Sequence, residues 1–343
     1  MREPPRPFGD FAFAFCLLFA AVACELIAAA LVGQRFLGEP RWQVFRIGDV
    51  TLGLSGWFLI PLAWLGLVAI ALAKRKADRP TVALMRTIRL NRDWLVRGLL
   101  LSVIHIPLGR AFATFKASIP LIRPFDWDPV FADLDHLLFG RDAWLLTHAL
   151  IGGWGTIAID RVYALWGTYL VLLAGWISFT RNRPLQIKAA LAFNLCWVVN
   201  GAVLATYFAS AGPCFFELFH GSDRFAPLMA ELAQVHDRQP LLAFRAMDYL
   251  TQNAGTAKLG VGISAMPSMH VSMAALGVIL AFAARSHWAI KLLAVMFALV
   301  IFVGSIHLGW HYAVDGLASA AITVVVWSAC STFVERTRRG ARP

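Results

Sequence analysis

The chain has 343 residues, of which 59% are hydrophobic and 15% are charged, and its formal net charge is +11. Soluble domains normally carry about 25% charged residues, so this composition excludes an ordinary soluble protein. The excess of positive charge does not indicate a nucleic-acid-binding protein, because the sequence contains no basic soluble segment of domain size. The composition instead predicts a polytopic α-helical membrane protein.

Apolar segments recur along the whole chain, and a transmembrane helix needs about 20 mainly apolar residues. The candidate spans lie near residues 11–33, 50–73, 95–115, 157–180, 187–209, 269–285, 288–306 and 311–334. The first is too long for a cleaved signal peptide and is not followed by a small-residue cleavage pattern. The sequence therefore predicts an all-α protein with about eight transmembrane helices.

Basic residues predict the orientation of these helices. The loop 74–92 holds seven Lys and Arg residues, and 180–188, 284–291 and 335–343 are also basic. With eight spans, these segments and the N-terminus share one side, which the positive-inside rule assigns to the cytoplasm. The two long insertions, within 116–156 and 210–268, then lie on the other face. We expect a multi-pass protein of the plasma or inner membrane.

The stretch "SIHLGWHYAVDG" lies between the last two apolar segments, at their non-cytoplasmic ends. His311 and Asp315 are four residues apart, so they share one face of a helix. A carboxylate beside an imidazole accepts the proton of one ring nitrogen and leaves the other free as a base or nucleophile. The alternative is a His–Asp pair that only caps a helix end. His307 lies one turn earlier on the same stripe if the helix is continuous.

A second histidine begins the sixth apolar segment, in "GISAMPSMHVSMAALG". Pro267 and Ser268 are typical of a helix start, where free backbone N–H groups favour an anion. His270 then stands where a general acid could protonate a leaving group. The alternative is an ordinary helix start with a histidine that reaches the membrane interface.

The stretch "KASIPLIRP" follows the third apolar segment and carries two cations, Lys116 and Arg123. Arg grips phosphate oxygens through two parallel hydrogen bonds, and Lys adds a point charge. The alternative is that both residues anchor a helix end at the interface. With the two histidine segments, this face supplies the cations, nucleophile and acid that cleavage of a phosphate ester requires. The sequence has no metal-ligand motif such as His-Glu-x-x-His, so we expect neither a metal nor another cofactor.

Three motifs follow one another on one membrane face: Lys-x6-Arg-Pro, Pro-Ser-x-His and His-x3-Asp. In this order they resemble the motifs of the type 2 phosphatidic acid phosphatase superfamily. The resemblance implies that His311 attacks phosphorus and that Asp315 orients it. It also implies that His270 protonates the leaving oxygen.

The resemblance further implies how the rest of the pocket is built. Lys116, Arg123 and Ser268 would bind the phosphate. Apart from the resemblance, we expect His307 and Tyr312 to line the pocket. The substrate would be a phospholipid or lipid phosphate in the bilayer, with water or a polyol as acceptor and no nucleic acid involved. The six-helix core would lie within 95–335, leaving 1–94 as additional transmembrane helices with a basic loop and 336–343 as a cytoplasmic tail.

The sequence departs from the superfamily's usual motifs in two places. Met269 replaces the glycine of Pro-Ser-Gly-His, and Ser305 stands where an arginine is expected six residues before His311. The candidates for the missing phosphate ligand are Arg110, Arg141, Arg224 and Arg245. "HYAVD" and "ASAGPCFF" (209–216) are similar to the inositol phosphorylceramide synthase-like branch.

The branch resemblance implies a phosphotransferase that moves a phospho-head group from a phospholipid to an alcohol such as inositol. The alternative within the same class is a lipid phosphate phosphatase, which uses water. A lipid transporter is a different class, but transporters usually place polar residues near the membrane midplane in pseudo-symmetric halves. A non-catalytic binding relative is a third reading, disfavoured because both histidines and the aspartate are present.

Overall fold

A computed structural model describes residues 12–38, 62–73, 79–253 and 261–340. Within these ranges the regular secondary structure is helical and no β-strand occurs. The expected all-α class is therefore confirmed.

Sixteen helices are described, and most of the longer ones belong to the membrane bundle. The first part of the chain forms α1 (Ala12–Leu37), α2 (Leu62–Ala73), α3 (Pro80–Leu90) and α4 (Arg92–Ile122). The middle part forms α5 (Asp128–Phe139), α6 (Ala143–Leu150), α7 (Gly153–Ala164), α8 (Trp166–Phe179), α9 (Arg183–Cys196), α10 (Ala205–Tyr207), α11 (Phe216–His220), α12 (Ala226–Arg238) and α13 (Leu242–Gln252). The last part forms α14 (Met269–Ala283), α15 (Trp288–His307) and α16 (Ala313–Gly340). A π-helical turn at Trp197–Leu204 joins α9 to α10.

Five helical segments in the described residues are long and apolar enough to cross a membrane, so the chain is an integral membrane protein. They are Phe15–Leu37, Gly153–Phe179, Arg183–Tyr207, Trp288–His307 and Ala313–Arg338. The expected count of eight is not confirmed. Of the three remaining candidates, 50–73 and 269–285 overlap shorter apolar helices at Leu62–Ala73 and Met269–Ala283, whereas 95–115 lies within α4 and overlaps its apolar part, Ala111–Ile122, only at one end. Much of the segment 50–73 lies outside the described residues.

Two apolar clusters hold the fold together. In the first, α4, α8, α9, α14 and the C-terminal half of α16 bury residues such as Leu101 and Leu276. The second lies at the other end of α14–α16, where the short helices α5–α7 and α11–α13 bury residues such as Leu228 and Leu308. α14 packs against both α15 and α16. This contact brings the starts of α14 and α16, which carry the predicted histidine motifs, to the same end of the bundle.

The basic segments meet at the opposite end. The Arg181 guanidinium lies 4.7 Å from the ring centroid of Trp94, and Lys188 Nζ lies 2.6 Å from Glu335 Oε1. These contacts join the start of α4, the turn between α8 and α9, and the last turns of α16. Glu335 is twenty residues beyond Asp315 on one helix, which corresponds to about 30 Å at 1.5 Å per residue. The basic segments and the histidine motifs therefore lie at opposite ends of the bundle.

Buried aspartates tie the outer segments to one another. Each of three aspartates accepts hydrogen bonds from two consecutive backbone amides, at 2.7–3.0 Å. The groups are Asp128 with Ala211 and Gly212, Asp135 with Ala313 and Val314, and Asp160 with Leu242 and Ala243. Because buried amides need acceptors, these carboxylates fix segments that regular helix bonding does not reach.

Candidate active site

The start of α14 presents His270. Ser268 is the N-cap of this helix, and its Oγ accepts a hydrogen bond from the Val271 amide at 3.4 Å. The first intrahelical bond runs from the Ser272 amide to the Ser268 carbonyl. The amides of Met269 and His270 precede that bond, so they belong to the helix N-terminus that can receive an anion.

Two aromatic rings fix the His270 imidazole. Its ring stacks on Tyr163 at a centroid distance of 4.8 Å and lies against Trp166 at 4.1 Å. The Trp166 indole also donates to the His270 carbonyl at 3.2 Å. Sequence reasoning did not anticipate these neighbours, because they come from α7 and α8, about a hundred residues away.

His311 lies in the short connection between α15 and α16. Its backbone amide donates to the carbonyl of Ser305 at 3.0 Å, which folds the connection back on the end of α15. The His311 and His270 ring centroids are 6.1 Å apart at an interplanar angle of 59°. Because reacting atoms approach to about 3–3.5 Å, two rings at this separation can contact opposite sides of one phosphate group.

Asp315 is fully buried in the first turn of α16, with one carboxylate oxygen 3.4 Å from His311 Nδ1. The same oxygen accepts a hydrogen bond from the Tyr312 amide at 3.0 Å. Within the described part of the chain, His311 Nδ1 and Asp315 Oδ1 have no hydrogen-bond partner. Asp315 therefore caps α16 and also stands beside the imidazole. Catalytic hydrogen bonds often tighten only when substrate is present.

The environment of His311 keeps its imidazole neutral. Burial lowers the pKa of His311 to about 3, the charge of Lys116 acts in the same direction, and a hydrogen bond to the backbone of Ala265 opposes both. A neutral imidazole retains a lone pair that can attack phosphorus. Lys116 also acts electrostatically on His270. The charge of Lys116 therefore acts on both rings, as that of a phosphate ligand would.

Comparison with known protein families identifies the chain. A model of the PAP2 superfamily matches residues 132–329, which is more than half of the sequence. The chain belongs to the PAP2 superfamily. The match includes His270, His311 and Asp315 and begins after Lys116. Membership indicates a membrane enzyme of the lipid phosphatase type. No curated protein and no solved structure matches the chain.

Arg123, the second cation of the first PAP2-like motif, lies at the end of α4. It is the C-cap of α4, and its guanidinium lies 5.3 Å from the ring centroid of Tyr207. The cation that acts on His311 is Lys116. Of the two predicted phosphate-binding cations, Lys116 is the one whose charge acts on both histidines.

The structure offers no clear replacement for the arginine missing before His311. Ser305 is buried, and its hydroxyl donates to the Phe302 carbonyl at 2.7 Å. Arg224 is held by Asp133 at 2.6 Å and Asp142 at 2.7 Å, and these carboxylates raise its pKa. The other candidates are two exposed residues, Arg141 and Arg245, and Arg110, whose side chain lies outside the described residues.

The two residues expected to line the pocket have different positions. His307 is fully buried, with Nε2 2.9 Å from the Thr156 hydroxyl and Nδ1 3.2 Å from the Thr147 hydroxyl. Its ring stacks on His148 at a centroid distance of 4.0 Å, so its contacts are those of a packed structural residue. Tyr312 is also buried, and together with His311 it lines a small cleft.

That cleft is acidic and aromatic. Besides His311 and Tyr312, it is lined by Asp135, Asp142, Trp144 and Phe225. A phosphate would be repelled by its carboxylates, whereas Lys116 and the first amides of α14 would attract one.

Two buried aspartates of α5 were not anticipated from the sequence. Asp128 and Asp135 are seven residues apart, which puts them on one helical face, and both are buried. Their spacing along the apolar face of "DPVFADLDHLLF" is the signal that could have identified them. In the described part of the chain, no three His, Cys, Asp or Glu residues form a metal-ligand group. The metal-free mechanism stays a prediction.

Proposed function

We propose that this PAP2 protein cleaves the phosphate ester of a lipid through a phosphohistidine on His311, without a metal ion. The observation that carries the proposal is the pairing of His311 and His270 at 6.1 Å between ring centroids. The Asp315 carboxylate beside His311 and the Lys116 charge near both rings support it further.

In the first step, the His311 ring nitrogen that faces away from Asp315 forms a bond to phosphorus while the bond from phosphorus to the lipid oxygen breaks. In the substrate complex, where the negative phosphate favours a protonated imidazole, His270 gives its proton to the leaving oxygen and releases an alcohol. Asp315 stabilises the positive charge that develops on the His311 ring. Lys116 and the amides at the start of α14 balance the charge on the phosphoryl oxygens.

In the second step, an acceptor oxygen attacks the same phosphorus. His270, now neutral, takes the proton of the acceptor, and the bond between nitrogen and phosphorus breaks to restore His311. Water as the acceptor makes the enzyme a lipid phosphate phosphatase. An alcohol makes it a phosphotransferase.

Phosphotransfer to a polyol is the second candidate function, and one specific observation favours it. The sequence "ASAGPCFF", similar to the inositol phosphorylceramide synthase-like branch, forms a loop that bonds to both histidine segments. The Ser210 carbonyl accepts the Ala265 amide, and the Cys214 amide donates to the Gly309 carbonyl, both at 2.8 Å. The feature that resembles this branch therefore lies within the site.

We further propose that eight segments cross the membrane and that the histidine pair faces away from the cytoplasm. The support is the separation of the basic segments from the histidine motifs along the bundle, combined with the positive-inside rule. In a cysteine-free background, single cysteines at Arg79 and Asp223 test this proposal with an impermeant thiol reagent. We expect labelling of intact cells at 223 and not at 79, and the reverse pattern would show that the topology is inverted.

The substrate experiment uses purified protein in defined vesicles with labelled phosphatidic acid or phospholipids, with and without inositol. Mass spectrometry of the products separates released phosphate from a transferred head group. We expect activity that persists in EDTA and is inhibited by vanadate, which mimics five-coordinate phosphorus. Activity that is lost in EDTA and restored by a divalent cation would contradict the metal-free mechanism. Movement of unmodified lipid between leaflets, without any product, would support the transporter instead.

A further inference from the structure

Asp128 belongs to none of the three motifs, yet its carboxylate makes four contacts next to the site. It is fully buried. Its two oxygens accept the amides of Ala211 at 2.7 Å and Gly212 at 2.8 Å. They also accept the Tyr312 hydroxyl at 2.9 Å, and His220 Nε2 lies at 3.2 Å. With four partners, the buried carboxylate is held in one position, and it holds each of these partners in place as well.

The amides that Asp128 holds belong to the loop 209–214, and one end of this loop supports the His270 segment. Ser210 accepts the Ala265 amide with its carbonyl at 2.8 Å and the Met266 amide with its hydroxyl at 3.0 Å. These two residues immediately precede Pro267 and the N-cap of α14. The path of the chain into His270 is therefore set by Ser210.

The other end of the loop supports the His311 segment. The Cys214 amide donates to the Gly309 carbonyl at 2.8 Å, two residues before His311. Gly212 has φ +94°, and a Cβ there would collide with the Trp310 carbonyl. This close approach leaves little freedom between the loop and the residue next to His311.

We infer that Asp128 is a positioning residue that sets the relation between His270 and His311. It orders the loop that is bonded to both segments, and it holds the side chain of Tyr312 beside the nucleophile. The inference rests on the proposed function, in which both histidines act on one phosphorus atom. A displacement of about 1 Å between reacting groups can lower a rate about 10²-fold.

A matched control is available in Asp160. It is also buried, and it accepts two consecutive amides, those of Leu242 and Ala243, both at 2.8 Å. Its partners begin α13, which packs against α7. Asp160→Asn therefore perturbs the same kind of buried interaction without touching the loop that joins the two histidines.

The experiment compares wild type, Asp128→Asn and Asp160→Asn as purified full-length proteins. For each, we measure the thermal midpoint, kcat and KM on nitrophenyl phosphate, and the thermal shift produced by vanadate. We expect Asp128→Asn to lose about 10²-fold in kcat, with little change in KM and with loss of the vanadate shift. We expect Asp160→Asn to unfold at a lower temperature with nearly unchanged kcat and an intact vanadate shift.

A folded Asp128→Asn with wild-type kcat would overturn the inference, and so would an equal loss of kcat in Asp160→Asn. If Asp128→Asn does not fold, Ser210→Ala and Tyr312→Phe replace it, because each removes one bond of the same network. We expect a several-fold loss of kcat in both, and wild-type kcat in both would overturn the inference. If the wild type shows neither activity nor a vanadate shift, both the proposed function and the positioning role of Asp128 are overturned. If the wild type is active and Asp128→Asn has the same kcat, only the positioning role is overturned.

Discussion

Replacing Asp135 with alanine should destabilise the start of α16, which carries Asp315 and directly follows His311. Asp135 is 3% exposed, and it accepts the Ala313 amide at 2.7 Å and the Val314 amide at 3.0 Å. A buried amide left without an acceptor costs about 1–3 kcal/mol. The Val314 amide is only partly buried, so the loss of its acceptor should cost about 1 kcal/mol, the lower end of that range. We therefore expect Asp135→Ala to lose about 2–4 kcal/mol in the free energy of unfolding.

Asp133→Ala is the matched control on the same helix. The side chain of Asp133 is 75% exposed, and its partner Arg224 keeps a second carboxylate, Asp142. Exposed ion pairs contribute about 0–1 kcal/mol, so we expect a small effect. Denaturant titration in detergent, followed by tryptophan fluorescence, measures both variants. If Asp135→Ala is as stable as Asp133→Ala, Asp135 does not stabilise the first amides of α16 and the reasoning is refuted.

Three further changes test individual histidines. Burial lowers the pKa of His311 to about 3, whereas the unfolded chain binds this proton near pH 6.5. Protonation therefore favours the unfolded chain, so His311 should destabilise the fold as pH falls from about 6.5 towards 3. NMR should show no His311 titration between about pH 7.5 and 4.5, and a midpoint near 6.5 would contradict its burial. His270→Ala should lose activity on lipid phosphates but still form phosphoenzyme from nitrophenyl phosphate, whose leaving group needs little protonation; equal losses on both substrates would argue against an acid role. His307→Gln should lower the thermal midpoint and leave kcat within about threefold, since the ring contacts two threonines and no reacting group; an inactive variant of normal stability would place His307 in the chemistry.

The sequence predicted the parts of the structure that depend on short-range spacing. The N-cap role of Ser268 follows from its place before an apolar run. His311 and Asp315 lie close together as their spacing predicts, but they do not share a helical face, because His311 precedes α16 and Asp315 lies in its first turn. Their meeting with His270 required the order of motifs in a known superfamily. No local pattern relates α14 to α16.

Features that depend on long-range packing were not predictable in the same way. Lys116 and Arg123 are near one helix end, yet the charge of Lys116 acts on His311 whereas Arg123 lies over the Tyr207 ring, and only the fold decides these partners. Asp128 and Asp135 bond to segments more than eighty residues away. The expected number of membrane spans also depends on long-range packing. Helix α14 is short and packs between α15 and α16, so it contacts protein where a lipid-facing span would contact lipid.

The most direct test of the proposed chemistry is to locate the phosphoryl group on the enzyme. Purified protein is mixed with a labelled lipid phosphate and quenched within milliseconds, and the labelled peptide is identified by mass spectrometry under conditions that preserve phosphohistidine. We expect an acid-labile phosphate on His311 in wild type and in His307→Gln, and none in His311→Ala. Asp315→Asn should form it more slowly; in a Ser-His-Asp triad the corresponding change lowers the rate about 10⁴-fold. Phosphate on His307, or an active His311→Ala enzyme, would contradict the account.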